Sequence, residues 1–416
     1  MNSRESTTVY EDGGRIKMFP LVFARRIVHK MLGGLRHGRL VLHESGDTFS
    51  FGSGDGEPVA HIYIHSQTIY PKILLGGSIG AGEAYIDKLW DTDDLTALVR
   101  ILVANMEVLD GMEKGFAWLL RPLQLGRHLL KRNNRRGAKK NILAHYDLGN
   151  EMYSTFLDPA MMYSSAVFPS PDSSLEEAAR YKLELICKKL DLQADDHVVE
   201  IGSGWGGFAI YAAENYGCRV TTTTISNAQY QEAKKRVAAA GLEDKVTLLQ
   251  KDYRDLQGSY DKLVSIEMIE AVGHSYLPIF FKKCGELLKE NGTMLLQAIT
   301  IRDQKYEDYV RTVDFIQQHI FPGGCLPSNT RMQNLLTSTT DMVVRHLEDF
   351  GGDYAKTLAL WRERFNHGAA RLGKLGYDER FRRLWNYYLC YCEGGFLERS
   401  ISVVHLVADR PGARVR

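Results

Sequence analysis

The feature that most constrains this chain is a rhythm. Short apolar runs at His197–Ile201, Arg219–Thr224, Lys245–Leu249, Leu263–Ile266 and Thr293–Ile301 alternate with stretches of helical periodicity. Before the first run, Ser174-Leu175-Glu176-Glu177 reads as a capping box, opening a helix to about Leu192. Strands separated by helix-length connections can pair only in parallel, with helices covering both faces, so the expected fold is a doubly wound α/β sheet. Ile401–Val407 reads as a closing strand. The first strand runs into Val198-Val199-Glu200-Ile201-Gly202-Ser203-Gly204-Trp205-Gly206-Gly207, where Gly202, Gly204 and Gly207 satisfy G-x-G-x-x-G. That spacing lets a ligand approach the backbone at a helix N-terminus.

Such a loop suits NAD, FAD or S-adenosylmethionine. A dinucleotide site places an acid about 20 residues on, at the end of the second strand. Here that strand reads Thr221-Thr222-Thr223-Thr224-Ile225-Ser226 and has none. Glu200 instead stands two residues before the first glycine, where a carboxylate can face an ammonium group. The residues therefore favour S-adenosylmethionine. Thr224 and Gln229 flank the second loop; Ser226–Gln229 fits a helix cap, and Gln229 can also reach a ribose. Asp252 and Tyr253 follow the third strand, either as adenine contacts or as an ordinary polar loop.

Residues 1–112 read as a small α+β domain, with strand-like His61–Ile64, a glycine-rich turn at Gly76–Gly80, and a helix from Leu95 to Leu109 after Asp91-Thr92-Asp93-Asp94. Residues 113–144 form a basic linker and 145–416 the larger domain. Lys114 to Tyr146 contains nine Lys and Arg and no acid, in a chain whose net charge is +1. The small overall charge disfavours a nucleic-acid binder. The local excess is either a solvated linker or a surface for anionic lipid head groups. The polar start Met1–Gly14 is unlike a secretory signal, no apolar run reaches the length of a membrane span, and the six cysteines lack metal or disulfide spacing. The expected location is cytoplasmic, with peripheral contact to the inner face of the membrane. No metal is expected.

Several segments together resemble the cyclopropane fatty acid synthases and the related mycolic acid methyltransferases. They are His145–Asn150, Met162–Ala166, Glu200–Gly207, Asp252–Leu256, Ser265–Gly273, Ile320–Ser328 and Asp353–Leu358, and the likeness covers nearly the whole chain. Gly80-Ala81-Gly82-Glu83-Ala84-Tyr85 resembles the N-terminal domain of the bacterial synthases. The resemblance implies a Rossmann-like class I methyltransferase domain with helical lid insertions. It implies methyl transfer from S-adenosylmethionine to a cis double bond of a phospholipid acyl chain, and a homodimer. Tyr163 and Ser164 are placed with the cofactor.

That chemistry moves a positive charge onto carbon, which favours a dry site lined by aromatic faces. Tyr163, Phe168, Tyr309, Phe315, Phe321 and Tyr354 are candidates. A base then removes a proton. In the family the base is a bicarbonate held by a cysteine, a glutamate, a histidine, a tyrosine and backbone groups. Glu270 and Tyr354 match the glutamate and the tyrosine. Ser165 stands at the cysteine position, Gln297 at the histidine position, and Glu267 at a glycine three residues before the glutamate.

Two readings follow. In one, Ser165 and Gln297 still hold bicarbonate and Glu267 faces elsewhere. In the other, Glu267 crowds Glu270, raises one pKa of the pair and replaces bicarbonate as base. Cyclopropane formation is the leading product expectation; a methyl- or methylene-branched chain, or a furan precursor, is the alternative. The stripes Trp361, Phe365, Leu372, Leu375, Phe381, Leu384, Tyr387 and Tyr388, with interspersed arginines, read as a helical cover. His145 is a candidate for positioning cofactor or lid.

Overall fold

A computed structural model describes residues 21–52, 56–107 and 148–413. The basic run between Lys114 and Lys140, His145 and both linker boundaries lie outside the described residues. The chain divides into two compact units.

The first unit holds α1 (Leu21–Leu32), β1 (Arg39–Glu44), β2 (Asp47–Gly52), β3 (Val59–Ile64), α2 (Ile69–Ile86), β4 (Trp90–Thr92) and α3 (Leu95–Ala104). Its sheet runs β2-β1-β3-β4. The Gly76–Gly80 stretch, expected to be a turn, lies inside α2. Gly77 (φ 55°, ψ −136°) breaks the helix there without ending it. α3 begins as expected, with the Asp94 carboxylate accepting from Ala97 N at 2.9 Å, and runs to Ala104; the expected end at Leu109 lies outside the described residues.

The second unit carries α4 (Leu175–Leu190), β5 (His197–Ile201), α5 (Gly207–Tyr216), β6 (Arg219–Thr223), α6 (Asn227–Ala239), β7 (Val246–Leu249), β8 (Tyr260–Ile266), α7 (Leu277–Leu287), β9 (Leu288–Ile301), α8 (Asn329–Thr339), β10 (Val343–Asp349), α9 (Gly351–His367) and β11 (Ile401–Asp409). The sheet order is β10-β11-β9-β8-β5-β6-β7. The core strands β9, β8, β5, β6 and β7 pair in parallel, whereas β11 runs antiparallel to both β9 and β10. The fold is thus the expected doubly wound α/β sheet, with β11 reversed.

Period-two alternation builds two cores. Val199, Ile201, Leu263, Met294 and Leu406 face α7 and α8; Val198, Val264, Leu295 and Val407 face α4 and α5. Glu200, Gln297 and His405 are in step with the second set, so three polar side chains enter an otherwise apolar layer beside α4. The capping box at α4 is present in full, and Asp191 ends the helix in the left-handed region.

The expected helical cover divides between the units. Trp361 and Phe365 lie on α9 in the second unit, but the last long helix, α10 (Glu379–Leu397), packs in the first unit against α2 and α3. Gly394 permits this closeness: a Cβ there would stand 2.6 Å from Val99 Cγ1. The Arg383 guanidinium lies 3.9 Å from the Tyr85 ring centroid and donates to the Tyr85 carbonyl. Among the described residues no helix is long and apolar enough to cross a membrane.

Candidate active site

Glu267 stands just past the end of β8 with φ +48°, a left-handed conformation that costs a non-glycine residue roughly 1–2 kcal/mol. Such strain persists only where the surroundings over-determine it. Here its amide donates to the Gln297 carbonyl (2.8 Å), and its side chain turns inward onto three donors. Oε1 accepts from Ser165 N at 2.8 Å and from Gln297 Nε2 at 2.7 Å. Oε2 accepts from the Tyr354 hydroxyl at 2.7 Å. Glu267 therefore does not face elsewhere. It joins Ser165, Gln297 and Tyr354 in one cluster.

Each donor is held by a separate part of the fold. Gln297 lies on β9, and Tyr354 in the first turns of α9. Ser165 belongs to the Tyr163–Phe168 segment, which α9 clamps: Ala166 N donates to Thr357 Oγ1 (3.1 Å) and Phe168 N to Asp353 (3.1 Å). The Ser165 hydroxyl turns away and donates to the Ala166 carbonyl at 2.9 Å, so this residue serves through its backbone.

Glu270, three residues on, is partly buried, with its Oε2 out of contact with solvent. Its Oε1 accepts from Ile299 N at 2.5 Å, and its Oε2 has no partner among the described residues. The Ile320–Ser328 segment braces this turn, with Cys325 N donating to the Glu270 carbonyl at 2.8 Å. Burial, reinforced by the Glu267 charge, pushes the Glu270 carboxyl up to about 8. Burial also raises Glu267, but Lys182 and the three donors oppose that rise. The three donors that face the Glu267 oxygens favour its charged form, and burial beside that carboxylate favours the protonated form of Glu270. Crowding by Glu267 is thus the second cause of the Glu270 rise, after burial.

Lys182, His405 and Lys189 also belong to this neighbourhood, and none was expected there. Lys182 is completely buried on α4 and donates to Ser164 Oγ at 2.6 Å; burial lowers its pKa to about 8. Ser164 is thus occupied by a lysine. His405 contacts Gln297 and Lys189. The signals were present: a lysine in phase with Ala178, Ala179, Ile186 and Cys187 on a buried helix face, and a histidine inside the apolar run Val403–Val407.

At the glycine loop, Gly202, Gly204 and Gly206 all have positive φ, and nothing lies within 4 Å of a Cβ built on Gly204. Gly207 has a different reason: a Cβ there would meet Met162 Sδ at 2.5 Å, so it is a packing glycine. The Asn150 amide oxygen accepts from Trp205 Nε1 at 2.8 Å, tying the loop to the segment before Tyr163. Glu200 is buried and its Oε2 has no partner among the described residues, and burial pushes its carboxyl up to about 8. Thr224 Oγ1 donates to Gln229 Oε1 at 2.9 Å, and Ser226 caps α6. Asp252 is paired with Arg254 at 2.6 Å, while the buried Tyr253 hydroxyl has no partner among the described residues.

Of the aromatic candidates, Tyr163 and Tyr354 both pack against Trp361, with centroids 5.4 and 6.1 Å away. The Phe168 face is taken by Lys356 at 4.0 Å, the Tyr309 hydroxyl accepts from Leu326 N, and Phe315 packs on Tyr387 within the first unit. Phe321 is partly exposed in the bracing segment.

A family model described as mycolic acid cyclopropane synthetase matches residues 133–406. The chain belongs to that family. Family membership extends to whole-length relatives. The tuberculostearic acid methyltransferase UfaA1 of Mycobacterium tuberculosis is 35% identical over 369 residues, 86% of either chain. The cyclopropane-fatty-acyl-phospholipid synthase of Escherichia coli K12 is 36% identical over 357 residues, 86% of this chain and 89% of that one. Among solved structures, the mycolic acid cyclopropane synthase CmaA1, complexed with SAH and CTAB, aligns with a TM-score of 0.62 at 30% identity, covering 65% of this chain and 98% of its own. S-adenosylmethionine is the methyl donor of the family, and this family member is an S-adenosylmethionine-dependent methyltransferase. Its residues fit that donor: a buried carboxylate at Glu200, one oxygen of which has no partner among the described residues, stands beside a backbone loop left open by Gly204. They do not fit bicarbonate in the same way. Ser165 N, Gln297 Nε2 and the Tyr354 hydroxyl, at the positions where the sequence resemblance implies bicarbonate ligands, all close on Glu267.

Proposed function

We propose that this methyltransferase methylates the double bond of unsaturated phospholipid acyl chains and that Glu267 itself is the proton acceptor. The observation that carries the reading is the Glu267 carboxylate, both oxygens of which are held by donors that would otherwise meet a diffusible anion. A second anion in that space would face the Glu267 charge and find the same donors taken. Glu200 is assigned to the ammonium group of S-adenosylmethionine. Tyr163 and Tyr354, packed on Trp361, are assigned to the developing cation.

Proton loss decides the product. A diffusible base can settle against the methyl-derived carbon, and loss of that proton closes a cyclopropane. A carboxylate fixed by three donors takes the proton of whichever carbon lies against it. The assignment is a neighbouring chain carbon, giving a branched olefin. The relatives bracket this choice, one named for a cyclopropane product and one for tuberculostearic acid. Contact with anionic lipid is proposed through the nine basic residues between Lys114 and Lys140.

The test incubates the protein with methyl-labelled S-adenosylmethionine and liposomes of cis-unsaturated phospholipid, then reads the acyl chains by mass spectrometry. A product heavier by one CH₂ that takes up hydrogen under mild hydrogenation supports the reading. A product that resists hydrogenation is a cyclopropane and contradicts the branched assignment. No label in lipid contradicts the substrate class.

A further inference from the structure

The hydrogen bonds that close on Glu267 continue behind it through the sheet. Gln297 spends its amide nitrogen inward, donating to Glu267 Oε1 at 2.7 Å and to the Ser165 carbonyl at 3.2 Å. Its Oε1 is left as an acceptor, and His405 Nε2 stands 3.0 Å from it, on the residue directly opposite across the β9–β11 pair. An amide oxygen only accepts, so the imidazole proton is on Nε2. Nδ1 is then a lone pair, and Lys189 Nζ, which only donates, lies 2.9 Å away. Lys189 pairs in turn with Glu348 on β10. Every bond runs in one direction, from Lys189 through His405 and Gln297 to Glu267.

That direction matters because a glutamine amide has two orientations. Turned over, it would set Oε1 against the Glu267 carboxylate, acceptor against anion. His405 opposes the turn, since an Nε2–H can bond the amide oxygen and cannot bond an amide NH₂. The charged and titratable groups around the ring are Lys189 and Lys182 from α4 and His346 from β10, with Glu348 balancing Lys189. Phe350 covers the ring at 4.6 Å between centroids. Burial and the surrounding positive charge hold the imidazole well below its ordinary pKa, and hence neutral.

We propose that His405 is a positioning residue of this site: neutral and protonated on Nε2, it fixes the Gln297 amide so that its nitrogen faces Glu267. The proposal rests on the reading of Glu267 as proton acceptor, and its test separates the two.

The test is a double-mutant cycle of His405→Phe and Gln297→Met, with kcat followed against pH. His405→Phe is expected to lower kcat roughly ten- to a hundredfold, the scale of a hydrogen bond to a charged group. It should also move the acid limb of the profile to higher pH and leave KM for S-adenosylmethionine unchanged. In the Gln297→Met background the same substitution should change kcat less than about twofold, because a residue acting through Gln297 has nothing left to act on. His405→Asn, which keeps a donor, should recover part of the rate.

Because His405 is buried, Lys189→Met near the surface is the companion variant. It removes the donor that fixes the tautomer and should move the acid limb in the same direction. Additive losses in the cycle, or an unmoved acid limb in Lys189→Met, would overturn the proposal. So would an imidazole protonated on Nδ1 in long-range ¹⁵N–¹H spectra of the wild-type protein. Those spectra read the tautomer whatever Glu267 does, and the rate of Glu267→Gly, taken alongside, reads the base assignment by itself.

Discussion

Replacing Glu267 by glycine separates stability from chemistry in an unusual way. The residue sits at φ +48°, so glycine relieves a backbone cost of roughly 1–2 kcal/mol. Against that gain, three buried donors lose a carboxylate, and each unsatisfied donor costs about 1–3 kcal/mol unless water or an anion replaces it. The space vacated by the side chain is polar and bounded by those donors, which suits such a replacement. The variant should therefore fold and bind S-adenosylmethionine. Its methyl transfer should fall by roughly 10²–10⁴-fold, the usual worth of a positioned general base.

Added bicarbonate or formate should restore part of the rate, since either can occupy the same donors. Glu267→Gln keeps the side chain and loses the base, so it should be inactive and refuse rescue. The assay is labelled methyl incorporation into lipid in carbonate-free buffer, with and without added anion, with thermal unfolding measured in parallel. A folded Glu267→Gly variant within about threefold of the wild-type rate would refute the assignment.

Three further outcomes follow from the geometry. Glu270 has a folded-state pKa raised from 4.5 to about 8, so the native protein keeps a proton that the unfolded chain releases. Stability should fall as pH rises through that window, by up to about 5 kcal/mol from this residue. Glu200 has a similar shift and Glu267 is also raised, so Glu270→Gln should remove part, not all, of the loss between pH 5 and 8 in thermal unfolding. At Glu200, a cation bound beside a protonated carboxyl should expel its proton. Affinity for S-adenosylmethionine should rise with pH to about 8, and calorimetry in buffers of different ionisation enthalpy should show proton release that Glu200→Gln abolishes. Ser165→Ala removes a hydroxyl bonded to its own chain, so kcat should change less than about threefold.

The fold was largely legible because its signals are local. Apolar alternation located β5 to β9 and β11 within a few residues, and the Ser174–Glu177 capping box marked the start of α4. β10 was missed because Val343–Asp349 is a mostly exposed edge strand carrying Arg345, His346, Glu348 and Asp349, which leaves no apolar stripe to read. The glycines of α2 misled because a glycine-rich run marks a break in the backbone without saying whether a helix resumes after it.

At the site, family motifs supplied Glu270, Tyr354, Ser165 and Gln297 by position. They did not reveal the direction of the Glu267 side chain, which depends on register between β8, β9 and α9. Nor did they reveal that the Ser165 hydroxyl is turned away, or that Asp252 is paired with Arg254. Lys182 and His405 were visible only as polar residues in apolar phase. Their partners are 18 to 216 residues away in sequence.

The most direct measurement of the central claim is the rate of the wild-type enzyme in buffer purged of carbon dioxide, titrated with bicarbonate. If Glu267 fills the anion site and takes the proton, the rate is the same with and without bicarbonate, and high bicarbonate does not raise it. A rate that collapses on purging and returns with added bicarbonate would contradict the account, whatever product is formed.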